Sequence, residues 1–491
     1  LTYAVACGYV ALPFGLTVNF PGFSGDAIPE SELAQRITLP PGFHINTYAT
    51  GVPNPRLLRF TPLGDLLVSS PRDRSVYLIA RDANGDGVAD APPRLLLTKL
   101  NQPHGLALHR EWLYVAEGDA VLRIRFDPET RSVIGSPDRI IKGLPSGGNH
   151  WTRTVGVGPD ERLYVSVGSS CNDCVETDAR RAALLRYQLD GSGEEIYASG
   201  LRNSVGFAWQ PGTGAIYATD NGRDLLGDDF PPCELNRVVE GGFYGWPIAH
   251  GDRVPDPDLG TGNAARIAAS LPPAHAFGAH TAPLGITFYV PPPGNPPAAF
   301  PPRYDGAAFV AQHGSWNRAQ KSGYQVVALF FDAAGGIREE PFATGFVRDD
   351  KVSGRPVDLA VGLDGALYVS DDYTGAIYRI AYGAAARADA ATAPRAAAVD
   401  PLADLDAFTI ADASGRGVTL WNANGCAACH VAGQAAGAAY KPLAQLGARY
   451  SIDSLVTFLK SPQPPMPVYP FSDAQRRDLA IYLLKTHTSD E

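Results

Sequence analysis

A single strand pattern, Leu or Tyr next to Val with small or polar residues after it, recurs six times in this chain. The copies are Asp65-Leu-Leu-Val68, Trp112-Leu-Tyr-Val115, Arg162-Leu-Tyr-Val165, Ala215-Ile-Tyr-Ala218, Ala307-Ala-Phe-Val310 and Ala366-Leu-Tyr-Val369. Their starts lie 47, 50, 53, 92 and 59 residues apart, which is the length of one four-stranded sheet with its turns. Before most copies comes an apolar strand and a turn, as in Val155-Gly-Val-Gly-Pro-Asp160. After most comes an alternating strand such as Val121-Leu-Arg-Ile-Arg-Phe126. Six sheets of this kind predict an all-β six-bladed propeller over residues 40–382. Phe43-His-Ile-Asn-Thr-Tyr48 has the character of an outer strand but precedes the first blade. It is expected to complete the last blade and so remove an open sheet edge. The widest gap, rich in Pro and Gly from Asp252 to Pro302, predicts a long insertion on one face, where it would line a binding site.

Beyond the propeller the pattern changes to Cys426-Ala-Ala-Cys429-His430, the attachment sequence of a c-type haem: two thioether cysteines and then a proximal histidine. The chain's single methionine, Met466, follows 36 residues later among prolines that hold a loop where a thioether can face iron. His430 and Met466 are thus the expected axial ligands. Helices are expected over Asp412–Asn424 and Ser472–Thr486, the second with Leu479, Leu483 and Leu484 on one face. This tail resembles a small class I cytochrome c. The expected organisation is an N-terminal arm (1–39), the propeller (40–382), an alanine-rich linker, coiled or helical (383–405), and a small all-α cytochrome c domain (406–491).

A formal net charge of −10 argues against nucleic acid, since phosphate binding needs a basic face. Haem is attached covalently outside the cytoplasm, and six cysteines suit an oxidising compartment, so a periplasmic or other extracytoplasmic location is expected. Leu1 to Leu16 is uncharged and reads either as the remnant of a secretion signal or membrane anchor, or as an apolar arm packed on the domain.

Several clusters have the composition of sites. Asp82, Asn84, Asp86 and Asp90 alternate around Gly85 and Gly87, with the Val88 carbonyl as a further oxygen; hard ligands at this spacing fit a structural calcium loop. A plain Asx-rich turn accounts for the same residues, and the usual closing Glu is absent. His150 stands immediately before an inner strand, where its imidazole would face the central channel as a general base or as a satisfied structural group. Arg202 and Asn203 stand at the matching place in the next blade, and Arg318 and Arg355 come from the last two. Guanidinium groups converging on one mouth point to a polyanionic ligand, because each binds a carboxylate bidentately. Cys171 and Cys174 suit a local disulfide, a zinc pair lacking nearby ligands; Cys7 and Cys233 remain as another pair.

At these residues the propeller resembles the soluble quinoprotein sugar dehydrogenases, the glucose/sorbosone dehydrogenase family, over residues 40–382. The resemblance is carried by His150 with the following Gly158-Pro159-Asp160, by Arg202-Asn203, and by Gly241-Gly-Phe-Tyr-Gly-Trp-Pro247. Gln102-Pro-His-Gly-Leu-Ala107 and Ser169-Ser-Cys-Asn-Asp-Cys174 are similar to the sorbosone branch. It implies the tricarboxylate cofactor pyrroloquinoline quinone (PQQ) with calcium. It further implies that His150 takes the sugar hydroxyl proton and that Arg202 and Asn203 contact the quinone. The backbone carbonyls of Gly222 and Arg223 would hold a catalytic calcium acting as a Lewis acid, and Arg355 would pair with a PQQ carboxylate. Where the family has a lysine, this chain has Asn317-Arg318, and the family's second last-blade arginine falls on Val357; Arg318 or Lys321 is expected to compensate. His104, His313 and Trp316 line the substrate side or are structural.

The expected activity is PQQ-dependent oxidation of a sugar or a related alcohol or aldehyde. Electrons would pass through haem c to an external acceptor such as a soluble cytochrome, a quinone or a respiratory chain, with membrane association through the N-terminus. Six-bladed propellers also host calcium-dependent lactonases and esterases, and a non-catalytic propeller docking a redox partner is the third reading.

Overall fold

The computed structural model describes residues 9–11, 17–19, 24–294, 296–383, 401–403, 405–430, 450–460 and 466–487, with the single positions 443, 446 and 462. Most of Leu1–Leu16, the expected signal or anchor remnant or apolar arm, with Cys7, and the alanine-rich stretch 384–400 lie outside the described residues. The chain divides into two units, Leu1–Ala386 and Arg387–Glu491.

The first unit is a six-bladed propeller whose blades span 58–97, 106–142, 153–199, 207–279, 283–343 and 356–382. The recurring motif supplies the second strand of every blade, from Leu66–Ser70 in the first to Leu367–Asp371 in the last. These strands are buried almost throughout, because each sheet is covered on both faces by its neighbours; hence they read as continuous apolar runs. Between blades 1 and 2, Leu67 and Leu78 pack in one cluster with Leu113 and Val115. Each buried leucine contributes about 2 kcal/mol.

Ring closure follows the expected route. Phe43–Ala49 pairs antiparallel with Ala376–Tyr382 as the outer strand of the last blade. Phe43 fixes that strand from its other end, with its ring edge-on to Phe300, Tyr304, Phe342 and Tyr382 at 4.7–5.4 Å between centroids.

The single insertion expected from Asp252 to Pro302 is instead two excursions. His275–Ala279 and Pro283–Phe288, both inside that range, are the outer strand of blade 4 and the inner strand of blade 5. The first excursion lies between Val238 and His275 and adds Gly242–Phe243 in parallel to the outer strand of blade 3. The second lies between Phe288 and Ala308. Flanking prolines and glycines mask the two short strands in the sequence.

The second unit is helical. Its first helix, Ala407–Ala423, starts five residues before the expected Asp412, because the Asp406 side chain caps it by accepting from the Thr409 amide. Its last helix, Asp473–Thr486, begins at a capping box made by Ser472 and Gln475 and buries Leu479, Leu483 and Leu484. The two cross at Gly417, where a Cβ would lie 2.4 Å from the Asp478 carbonyl oxygen and 2.5 Å from the Tyr482 Cβ. Among the described residues, no helix is long and apolar enough to cross a membrane.

Candidate active site

The residues just before the inner strands gather at one end of the propeller channel. Arg56, His104, His150, Arg202, His280 and Arg355 all hold that position, one from each blade. Of these, Arg56, His150, Arg202 and His280 line a cavity of about 440 Å³, together with Asn203 and Asp224.

His150 is fixed by the end of the neighbouring strand. Its Nδ1 lies 3.0 Å from the Ser169 carbonyl oxygen, which can only accept, so Nδ1 carries the proton and Nε2 presents a lone pair. The Ser169 hydroxyl lies 2.8 Å from the same Nδ1 and donates its own proton to the Cys171 carbonyl at 2.7 Å, so it too accepts from the imidazole. Burial, and then the charge of Arg202, push the His150 pKa down to about 3. The imidazole is therefore neutral throughout the ordinary pH range. Gly168 makes the arrangement possible: a Cβ there would lie 2.6 Å from the His150 Cβ and 2.7 Å from Asn203 Oδ1.

Arg202 is buried and held on every side. Nε and Nη2 donate to the carbonyl and side-chain oxygens of Asn172, Nη1 to the Asn221 and Gly222 carbonyls, and Nη2 also to Asp224. The expected disulfide between Cys171 and Cys174 encloses Asn172 in a short ring, fixing the group that orients Arg202. Gly222, expected to offer its carbonyl to calcium, offers it here to Arg202 at 2.8 Å. The Arg223 side chain turns outward to Asp173, Asp256 and Asp258. Asp224, to which sequence reading gave no role of its own, is the carboxylate on this wall; its other oxygen accepts from Asn317 Nδ2 at 3.2 Å.

A second part of the cavity lining is built on Asp372. Its oxygens accept from Arg56 Nη1 at 2.8 Å and Arg355 Nε at 2.7 Å, and lie 3.0 Å from His313 Nε2. Burial opposes its charge, but His313, Arg355 and Arg56 outweigh that and hold the carboxyl well below the usual range. Arg355 thus neutralises Asp372 and is not among the residues lining the cavity. Arg318 and Lys321, the two expected compensators, are not there either: Arg318 donates to the Asp228 carbonyl and pairs with Asp229, and Lys321 sits 3.5 Å from Asp350. Val357 is buried with Val205 and Leu284 in an apolar ring. His313 and Trp316 line the cavity, whereas His104 is fully buried behind it, 3.3 Å from the Thr154 hydroxyl. Sequence reading gave no role to Arg56, Ser169, Asp224 and Asp372. Ser169 opens the motif Ser169–Cys174, Asp224 directly follows Gly222 and Arg223, and Arg56 has its place in the repeat, whereas Asp372 left no signal.

The calcium-type loop brings its oxygens together, but on backbone amides. Asp82 accepts from Gly85, Asp86 and Gly87, Asn84 from Asp86, Asp86 from Val88, and Asp90 from Ala83. Each of these bonds belongs equally to an Asx-rich turn. Cys233 is a buried free thiol among the described residues.

In the helical unit, Cys426, just before the short helix Ala427–His430, and Cys429, within it, are free thiols, and the His430 ring lies 5.9 Å from that of Trp421. Cys426 and Met466 pack against the same apolar cluster, which contains Trp421, Leu455 and Leu479.

Comparison with known proteins adds the following. A protein of Borreliella burgdorferi with no assigned function is 30% identical over 383 residues, covering 73% of this chain and 94% of that one. The pyrroloquinoline quinone-dependent pyranose dehydrogenase of Coprinopsis cinerea is 26% identical over 426 residues, covering 69% of this chain and 54%, about half, of that enzyme. Among solved structures, the holo PQQ domain of the Coprinopsis cinerea pyranose dehydrogenase superposes with a TM-score of 0.60 at 23% identity, covering 70% of this chain and 97% of that one. A calcium structure of a Trichoderma reesei family AA12 enzyme superposes with a TM-score of 0.61 at 22% identity, covering 71% and 97%. These two likenesses bear on the fold. The TrAA12-like profile matches residues 37–231 and 260–383, omitting part of the first excursion of blade 4. This chain belongs to the TrAA12-like family.

Proposed function

We propose that the chain is a PQQ-dependent sugar dehydrogenase whose helical unit carries haem c and passes electrons to an external acceptor. The observation that carries the reading is the neutral His150, its tautomer set by Ser169 so that Nε2 keeps a lone pair, in the lining of a cavity that Arg56 and Arg202 also line. Among the cavity-lining residues Arg56 Nε is a buried donor without a hydrogen-bond partner, which suits a carboxylate, and Asn221 Oδ1 and Asn317 Oδ1 are buried acceptors without one, which suit a cation or a hydroxyl. The relatives named above as PQQ-dependent favour PQQ as the ligand.

When bound, PQQ supplies a two-electron acceptor for the hydride leaving the sugar carbon, with calcium at the Gly222 and Arg223 carbonyls as its Lewis acid. His150 Nε2 takes the proton of the sugar hydroxyl. Arg202 and Asn203, which line the cavity, would contact the quinone side of the acceptor. In the second unit Cys426 and Cys429 supply the thioether sulfurs, and His430 and Met466 the axial ligands; free thiols beside a helix-borne histidine, with the sole methionine on the same apolar cluster, fit a c-type haem. Covalent haem implies work outside the cytoplasm, with the N-terminal stretch as a membrane tether. Asp82, Asn84, Asp86, Asp90 and the Val88 carbonyl would hold a structural calcium.

The test is a visible spectrum of the oxidised, calcium- and PQQ-reconstituted protein, taken before and after adding aldoses, sorbosone-like aldehydes or polyols. Sharp reduced-haem bands that need both PQQ and one class of substrate are expected. Haem that dithionite reduces but no substrate does would leave the helical unit a cytochrome and remove the dehydrogenase.

A further inference from the structure

The cavity wall carries a cation whose bonding is incomplete. Arg56 is 6% exposed, lines the cavity and lies with its guanidinium 5.9 Å from the centroid of the Trp151 ring. Among the described residues its side chain makes one hydrogen bond, Nη1 to Asp372, and Nε has no partner. That carboxylate is already shared, since Arg355 takes its other oxygen. Two guanidinium groups therefore meet one carboxylate, with His313 beside them displaced toward its neutral form chiefly by burial. A buried, under-bonded guanidinium is costly unless a further anion meets it.

The cations expected to do that work are placed elsewhere. Arg318 and Lys321 are engaged with Asp229 and Asp350, and Val357 is sealed in an apolar ring. Arg56 is paired as well, with Asp372, but unlike those cations it lines the cavity and keeps Nε without a partner; it enters from blade 1, just before the inner strand, as His150 and Arg202 do in blades 3 and 4.

We propose that Arg56 is the carboxylate anchor of this cavity, taking a cofactor carboxylate with the donors that Asp372 leaves unused. The inference rests on the reading of the cavity as a PQQ site and adds a residue to it. Arg56 forms the binding edge, Asp372 orients it, and Arg355 is a positioning residue that neutralises Asp372, leaving Arg56 free to pair outward. Trp151 covers one side of the guanidinium.

The experiment measures equilibrium binding to the full-length protein in calcium, without substrate, by quenching of tryptophan fluorescence. Two ligands are used: PQQ, and its trimethyl ester, which lacks the carboxylate charges. Three proteins are compared: wild type, Arg56→Lys and Arg56→Met. Arg56→Met is expected to weaken PQQ at least about tenfold while changing the ester less than about twofold, with Arg56→Lys in between because it keeps the charge and loses the fork. Equal PQQ affinity in wild type and Arg56→Lys and Arg56→Met overturns the anchor and leaves the PQQ reading intact. Equal losses for PQQ and the ester also overturn it, since they report a damaged cavity. Wild-type protein that binds neither ligand overturns the PQQ reading and the anchor together. Should Arg56→Met not fold, the two ligands compared on wild type and Arg56→Lys decide: a PQQ-specific loss supports the anchor, and an unchanged or shared one overturns it.

Discussion

At the scale of single residues, the site turns on one proton. Ser169 keeps it on His150 Nδ1 through both its carbonyl and its hydroxyl, and Cys171 in turn fixes that hydroxyl. Under the proposed reading, His150→Gln lowers turnover by about 10²–10⁴ with sugar binding little changed. Ser169→Ala keeps the carbonyl and loses the hydroxyl, and its expected cost is smaller, about tenfold in kcat. The pH profile follows from the depressed pKa. The folded pKa of about 3 lies below the ordinary 6.5, so the base is already unprotonated at pH 6.5 and stays so until the pH approaches about 3. The rate of sugar oxidation should therefore show no break near 6.5, and a histidine-type break there would place the working base elsewhere.

At the scale of elements, two contacts invite measurement. Gly417 lets the first and last helices of the second unit touch, so Gly417→Val should cost about 1–3 kcal/mol and lower the melting temperature of that unit, leaving the propeller transition where it was. In blade 4, burial raises the pKa of Glu234 from 4.5 to about 7, so the folded state holds a proton that the unfolded state has lost. Its contribution to stability is full below 4.5 and declines as the pH rises towards 7. Glu234→Gln should therefore gain on the wild type between pH 5 and pH 8, by up to about 3 kcal/mol in denaturant unfolding.

Elements also divide what sequence could and could not disclose. The second strand of each blade was legible because burial on both faces leaves an apolar run of fixed spacing. His275–Ala279 and Pro283–Phe288 were not, being short and set among glycines and prolines. His150 and Arg202 announced themselves by neighbouring motifs. Arg56 sits between Pro55 and Leu57 with no motif, and its partner Asp372 is 316 residues away, a distance that no local spacing reports.

At the scale of the whole molecule, the ring depends on its closing strand. Phe43→Ala removes the ring that contacts four aromatic side chains and should cost about 3–5 kcal/mol, visible as a lower melting temperature of the propeller and as association through the freed edge of the last blade. That closure also orders events in time. The strand Phe43–Ala49 is made early and its partner Ala376–Tyr382 last among the propeller strands, so the first must wait unmatched while the other five blades are synthesised. The circle is completed only when the whole propeller sequence is present, which delays its final contact to the end of synthesis or export. The helical unit, whose apolar cluster is drawn from residues between Leu402 and Leu484, follows after that moment and has no such wait.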